Sequence, residues 1–176
     1  MIKRLIKKIR NKMISRKFGL CGDNVSIGGG YSFAGTENFF IHNNVQIGRN
    51  ALFWSTHAKL IIDNNVLIGP NVSIHTGNHD FSVIGKPIIS VNIQDMDKTC
   101  FGDVVIKSDT WIGDGCIILK GVTIEKGCII GAGSVVTRST EPYGIYVGNP
   151  AKRIKNRFSP EEIIEHERIL FSTFST

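Results

Sequence analysis

Branched aliphatic residues recur at every sixth position in the second half of the chain, at Ile106, Ile112, Ile118, Ile124, Ile130 and Val136. Four places after each of the first five stands a small or short residue: Thr110, Cys116, Val122, Cys128 and Ser134. A period of six matches neither the return of an α-helix after about 3.6 residues nor the simple alternation of a flat strand; it is the signature of hexapeptide repeats. Such a chain must turn a corner in every hexad. The branched residue then points inward to fill a narrow core, and the small one leaves room at the next inner corner. The expected product is a prism of short parallel strands.

The same phase runs upstream as Ile41, Ile47, Phe53 and as Ile62, Ile68, Ile74, with a weaker start at Cys21, Ile27, Phe33. Asn43-Asn44, Asn64-Asn65 and Pro70-Asn71 fall at corners, where asparagine accepts left-handed backbone at low cost. The repeat breaks twice. Phe53 and Ile62 are nine residues apart, and Ile74 and Ile106 are thirty-two apart, so a long loop leaves the prism after Ile74. Breaks in a regular solenoid are where function usually sits.

Both ends depart from the repeat. Residues 1–20 place Ile2, Leu5, Ile6, Ile9, Met13 and Ile14 on one helical stripe opposite lysines and arginines, which predicts a basic amphipathic helix. It would cap the open end of a solenoid occupying residues 21–140, and the same helix would also suit an anionic membrane surface. After Thr140 the phase is lost, and Ser159-Pro160-Glu161-Glu162 reads as a capping box opening a helix from about Pro160 to Phe171 within a tail of residues 141–176.

At 176 residues and 41% hydrophobic content the chain supports one domain with terminal additions. Its net charge of +6 comes from the first twenty residues, which hold eight Lys/Arg and no acid. The remainder is near neutral and has no aromatic-basic stacking motif, so no nucleic-acid partner is expected. The basic segment lacks the uninterrupted apolar stretch of a signal peptide and is too charged to span a bilayer. Cys21, Cys100, Cys116 and Cys128 show no metal-ligand spacing and are read as free thiols of a cytoplasmic protein, with a disulfide as the alternative. Attachment through residues 1–20 would make it peripheral to the inner membrane face.

No nucleophile elbow, Walker loop or dinucleotide glycine fingerprint is present. Histidine is the remaining candidate. His42 and His57 lie in or beside early hexads, and His166 is expected on the solvated face of the C-terminal helix. His75 and His79 stand where the strand ends and the long loop begins. An imidazole there suits general-base work, because its ordinary pKa lies near neutrality.

The stretches Ile62–Ile74, Gly77-Asn78-His79, Trp111–Ile124, Gly131–Arg138 and Gly148-Asn-Pro-Ala-Lys152 occur in an order that resembles the hexapeptide-repeat acyltransferases, in particular the sugar O-acetyltransferases and the related xenobiotic acetyltransferases. The resemblance covers residues 41–157. It implies a left-handed parallel β-helix, a homotrimer with sites between neighbouring subunits, and acetyl-CoA as co-substrate with no metal. It makes His79 the base, the backbone N–H of Asp114 the oxyanion donor, and the loop from about Asp80 to Asp103 part of the cleft. Trp111, Ala132, Thr137, Arg138, Lys152 and Lys155 match cofactor-binding positions. Asn78 joins Trp54 or Ser55 at the acceptor, because Trp54 and Ser55 stand where several sugar enzymes place an asparagine. The expected activity is transfer of an acetyl group to a hydroxyl of a sugar or glycan. The alternatives are N-acetylation of an amino sugar, metal-dependent hydration, and an inert solenoid that only binds.

Overall fold

In the computed structural model, residues 13–173 are described; most of the expected N-terminal helix lies outside them. Three parallel sheets form the walls of a prism. Each coil contributes one strand to each wall. The first coil is β1 (Leu20–Cys21), β2 (Ser26–Ile27) and β3 (Ser32–Ala34), and the second is β4 (Phe39–Ile41), β5 (Gln46–Ile47) and β6 (Leu52–Trp54). The third is β7 (Leu60–Ile62), β8 (Leu67–Ile68) and β9 (Ser73–His75), and the fourth is β10 (Val104–Ile106), β11 (Trp111–Ile112) and β12 (Ile117–Ile118). The fifth is β13 (Thr123–Ile124), β14 (Ile129–Ile130) and β15 (Val135–Val136). The first wall runs β1-β4-β7-β10-β13 and the third β15-β12-β9-β6-β3. Register is strict: Ile106 stands over Ile62 and under Ile124, and Ile118 over Ile74 and under Val136.

The period-six residues are the core. Ile41, Ile62, Ile74, Ile106, Ile112, Ile118, Ile124 and Ile130 are fully buried. The small residues expected at inner corners are buried as well, and the polar ones bond to backbone carbonyls: Thr110 Oγ1 donates to Lys107 O at 2.7 Å and Ser134 Oγ to Gly131 O at 2.6 Å. The four cysteines are free, Cys116 and Cys128 as compact core residues. Phe33, Phe39 and Phe53 fill the wide first coils, and Ile14 and Phe18 pack over them at the open end.

Corners between the first two walls form a column in which Asn24, Asn44, Asn65, Asp109, Gly127 and Tyr143 all adopt φ between 55° and 70°. Asparagine is suited to this conformation, and here it also links coils: Asn24 Nδ2 donates to Asn44 Oδ1 at 3.0 Å, and Asn44 Nδ2 to Asn65 Oδ1 at 3.1 Å.

Two features of the tail differ from the sequence expectation. β16 (Gly144–Val147) continues the second wall above β14, and β17 (Lys152–Asn156) returns antiparallel to it, so that wall has seven strands in the order β17-β16-β14-β11-β8-β5-β2. The C-terminal helix, Pro160–Thr173, opens with the expected capping box: Glu162 N donates to Ser159 Oγ at 3.2 Å and Ser159 N to Glu162 Oε2 at 2.7 Å. His166, however, is not on a solvated face. Its Nε2 lies 2.9 Å from Asp109 Oδ2, which also accepts from Arg157 at 2.7 Å. The helix folds back onto the asparagine column, and this carboxylate receives it. Among the described residues no helix is long and apolar enough to cross a membrane.

Asn44→Ala is expected to lower stability by about 1–3 kcal/mol, combining the left-handed backbone penalty with the two lost ladder bonds. Asn44→Gly should recover the backbone share only. Denaturant unfolding of the three proteins checks both; equal loss in the two variants would mean that the corner conformation contributes nothing.

Candidate active site

The third corner, joining the third wall to the first, is the irregular one. It holds the turn after β3, the Ser55–Lys59 turn after β6 and the excursion after β9, stacked in successive coils. The spacing from Phe33 to Ile41 is eight residues, a third break beneath the two legible in the sequence. All three fall on one edge of the prism.

At the third coil the chain leaves β9 at His75. Thr76 is buried, its N–H donating to Trp54 O at 3.0 Å. Gly77 pairs with Phe101 across an antiparallel bridge, and a Cβ at Gly77 would lie 2.8 Å from the Phe101 ring. Glycine is required here so that outgoing and returning chain can close. Asn78 N donates to Cys100 O at 3.0 Å, which fixes the backbone immediately before His79. The loop between contains short 3-10 turns at Ile88–Ser90, Ile93–Asp95 and Lys98–Cys100.

Buried Asp80 holds that loop together. Its carboxylate accepts from Asp97 N at 3.0 Å, Ser82 Oγ at 2.7 Å and Ser82 N at 2.8 Å. These donors, the Asp97 amide foremost, pull its pKa down to about 2. A depressed carboxyl stabilises above its ordinary pKa and loses that contribution as pH falls through the folded value, so the latch is complete above about pH 4 and is lost toward pH 2.

A cavity of about 280 Å³ opens beside the latch, lined by Trp54, Thr56, His57, His75, Gly77, Asn78, His79, Ile93, Met96 and Phe101. His79 and Asn78 are exposed on its rim. Trp54, half exposed, meets the His75 ring edge-on at 5.6 Å, and burial pushes the His75 pKa down. His57 packs on Phe101 with ring centroids 4.9 Å apart.

Of the residues expected to act together, the chain thus unites His79, Asn78 and Trp54. Ser55 is not among them: it is fully buried, with its hydroxyl donated to Ala58 O, because Cβ alternation along the strand turns it inward beside Trp54. Trp111 and Asp114 line a separate cavity of about 380 Å³ with Gln46, Arg49, Leu67 and Pro70. It lies near the second corner, across the third wall from His79. Ala132 sits one coil above, against Gly113. Thr137 and Arg138 follow β15, and Lys152 and Lys155 are exposed on β17. His57, Phe101, Ile93 and Met96 also line this cavity, although no sequence motif marks them as site residues. His57 was signalled by the nine-residue break that contains it; the other three come from the loop, where no periodicity marks inward positions. Among the described residues no group of three His, Cys, Asp or Glu side chains is placed to hold a metal ion.

Residues 103–138 match the family model for the bacterial transferase hexapeptide, six repeats. A Staphylococcus aureus protein whose acetyltransferase name is itself provisional is 33% identical over 162 residues, covering 91% of this chain and 77% of its own. A chloramphenicol acetyltransferase of Klebsiella aerogenes is 38% identical over 117 residues, covering 60% of this chain and 55% of its own. The crystal structure of a maltose O-acetyltransferase from Clostridium difficile superposes with a TM-score of 0.68 at 28% identity, over 85% of this chain and 75% of that one. The chain spans about half the length of several curated relatives it matches, 44% and 55% in two cases.

Asp80→Ala is expected to accelerate amide exchange across residues 81–101 while the coil strands keep their protection, as measured by hydrogen–deuterium exchange. Unchanged protection in that loop would mean the carboxylate does not hold it.

Proposed function

Because the chain belongs to the hexapeptide-repeat acetyltransferase family and folds as its left-handed β-helix, we propose that it transfers an acetyl group from acetyl-CoA to a hydroxyl of a sugar or glycan, with His79 as general base. The observation that carries this reading is His79 itself: an exposed imidazole four residues beyond the end of β9, on the rim of a cavity, with the backbone before it fixed by the Gly77–Phe101 closure.

One neutral ring nitrogen of His79 takes the acceptor hydroxyl proton as the oxygen attacks the thioester carbonyl. The carbon–oxygen bond forms and the carbonyl oxygen becomes the oxyanion of a tetrahedral intermediate. Its collapse breaks the carbon–sulfur bond, and the departing thiolate recovers the proton from the imidazolium. Both substrates are held together, so no acyl-enzyme is needed. The cysteines support this course: Cys100, Cys116 and Cys128 are buried, and burial raises the pKa of each thiol, the opposite of an activated nucleophile.

The separation of His79 from Trp111, Asp114 and Ala132 supports a shared site. In a homotrimer, the second-corner edge of one subunit would face the third-corner edge of its neighbour. Trp111, the Asp114 N–H and Ala132 of one copy would then meet His79, Asn78 and Trp54 of the next. Exposed Lys152 and Lys155 on β17, with Thr137 and Arg138 beyond β15, would receive the phosphate end of CoA.

His79→Ala is expected to leave the oligomer intact and to lower kcat by about 10²-fold or more, the scale of general-base assistance. Near-normal turnover would remove His79 from this role. Lys152→Glu combined with Lys155→Glu should raise KM for acetyl-CoA while leaving that for the acceptor nearly unchanged. Equal effects on both constants would sink the phosphate assignment.

A further inference from the structure

We propose that Arg153 is a positioning residue for the acetyl donor: without touching the ligand, it clasps a β-bulge in β17 and so holds Lys152 and Lys155 on one face, toward the phosphate end of CoA. This inference rests on the phosphate assignment above and adds to it a residue which that assignment does not contain.

Three cations stand close together in β17: Lys152, Arg153 and Lys155. In a regular strand side chains alternate, so residues three apart point to opposite faces, and Lys155 would share its face with Arg153 rather than with Lys152. The pairing with β16 is not regular. Lys152 stands opposite Val147 and Arg153 opposite Tyr146, but Lys155 stands opposite Ile145 and Asn156 opposite Gly144, which leaves Ile154 as an extra residue in the bulge.

Directly opposed residues of an antiparallel pair share a face. Lys152 and Lys155 therefore lie on the face of Val147 and Ile145, and Arg153 and Asn156 on the face of Tyr146 and Gly144. Tyr146 is buried and is the register partner of inward Ile130, whereas Val147 is exposed. The bulge thus sets both lysines on the outer face of the second wall, with Lys155 in the same register column as Ile145, Ile129 and Trp111. This placement follows from strand pairing within one chain and needs no neighbouring subunit.

Arg153 fixes the irregularity from the other side. Its Nη2 donates to Asn156 Oδ1 at 2.5 Å, a bond that spans the bulge, and its Nη1 donates to Glu141 Oε2. Glu141 is itself held on that side, because its N–H donates to Tyr146 Oη at 2.8 Å. Gly144 leaves the room: a Cβ there would lie 2.4 Å from the Tyr146 ring and 3.2 Å from Arg153 Nε. A cation between two phosphate-binding lysines would be counted as a third phosphate contact from sequence, but this one is turned away from them and paired with an acid.

The test is calorimetry on the full-length protein with CoA, and with pantetheine, which lacks the phosphates, by displacement of CoA. Arg153→Ala should raise Kd for CoA about three- to fivefold, the scale of a half-exposed ion pair, and leave that for pantetheine nearly unchanged. Arg153→Lys keeps the charge but not the planar fork and should behave like Arg153→Ala. Glu141→Ala separates the two roles by sign: positioning predicts weaker CoA binding because the clasp opens, whereas direct phosphate contact predicts tighter binding because a competing acid is gone. Thermal unfolding of each variant near the parent's Tm excludes loss of the fold as the cause. Tighter or unchanged CoA binding in Glu141→Ala overturns the proposal. So does an Arg153→Lys protein that binds CoA like the parent, and so does an Arg153→Ala protein in which both ligands weaken equally or neither weakens. If Lys152→Glu with Lys155→Glu leaves CoA affinity unchanged, the phosphate assignment fails and the positioning role falls with it; if those variants weaken CoA and Arg153→Ala does not, the positioning role alone fails.

Discussion

The corner conformation decides this fold. A strand of two residues can bury only one side chain against the core, so each wall is stable only if the next coil returns in register above it. That return requires left-handed backbone at every regular corner. In the first column the requirement is met by Asn24, Asn44, Asn65, Asp109 and Tyr143, with φ of 55° to 61°, and by Gly127 at 70°. A single L-residue in this region costs about 1–2 kcal/mol unless its side chain compensates locally. The asparagines compensate by bonding one another, coil to coil. Period six in the core and asparagine at the corner are therefore two aspects of one constraint.

Function becomes possible where that constraint is released. The first and second corners keep the six-residue spacing from coil to coil. The third corner is irregular in three consecutive coils, and those irregularities form one edge. A turn after β6 places Trp54 and His57, and the excursion after β9 places His75 to Asp80 directly above. Because Trp54 and His75 are register partners, a break at the same corner in adjacent coils brings their rings within 5.6 Å. The long loop is then tied down by Asp80, and it returns through the Gly77–Phe101 bridge to resume the prism.

The prism was legible in the sequence because its rule is local and repeats. Every hexad from Ile106 to Val136 states the same inward position, and asparagine pairs mark the turns upstream. His79 could be located because it stands where the periodicity stops. The remainder of the cavity could not be read in this way. Ile93, Met96 and Phe101 lie in a segment without repeating pattern, where three-dimensional closure alone sets which side chains face in. Ser55 illustrates the opposite case: its neighbour Trp54 is exposed, and the alternation that exposes one buries the other. Resemblance to sugar acetyltransferases could propose either residue for the acceptor, and the direction of a Cβ leaves only Trp54 exposed.

Asp109 carries the same logic to the end of the chain. Its position in the corner column calls for a residue tolerant of left-handed backbone, which asparagine or aspartate satisfies equally. The ladder below it is built of amides, each both donor and acceptor, and continuing with asparagine would serve the coil as well. A carboxylate accepts only, and here it accepts from Arg157 and meets His166 of the returning tail. Arg157 follows directly on β17, the strand that bears Lys152 and Lys155, and also bonds the Asp109 and Gly127 carbonyls. The acid in the column therefore couples the corner of the fourth coil to the segment that carries the exposed lysines. One substitution within the repeat rule, amide to acid, thus docks the tail without disturbing the corner that supports it.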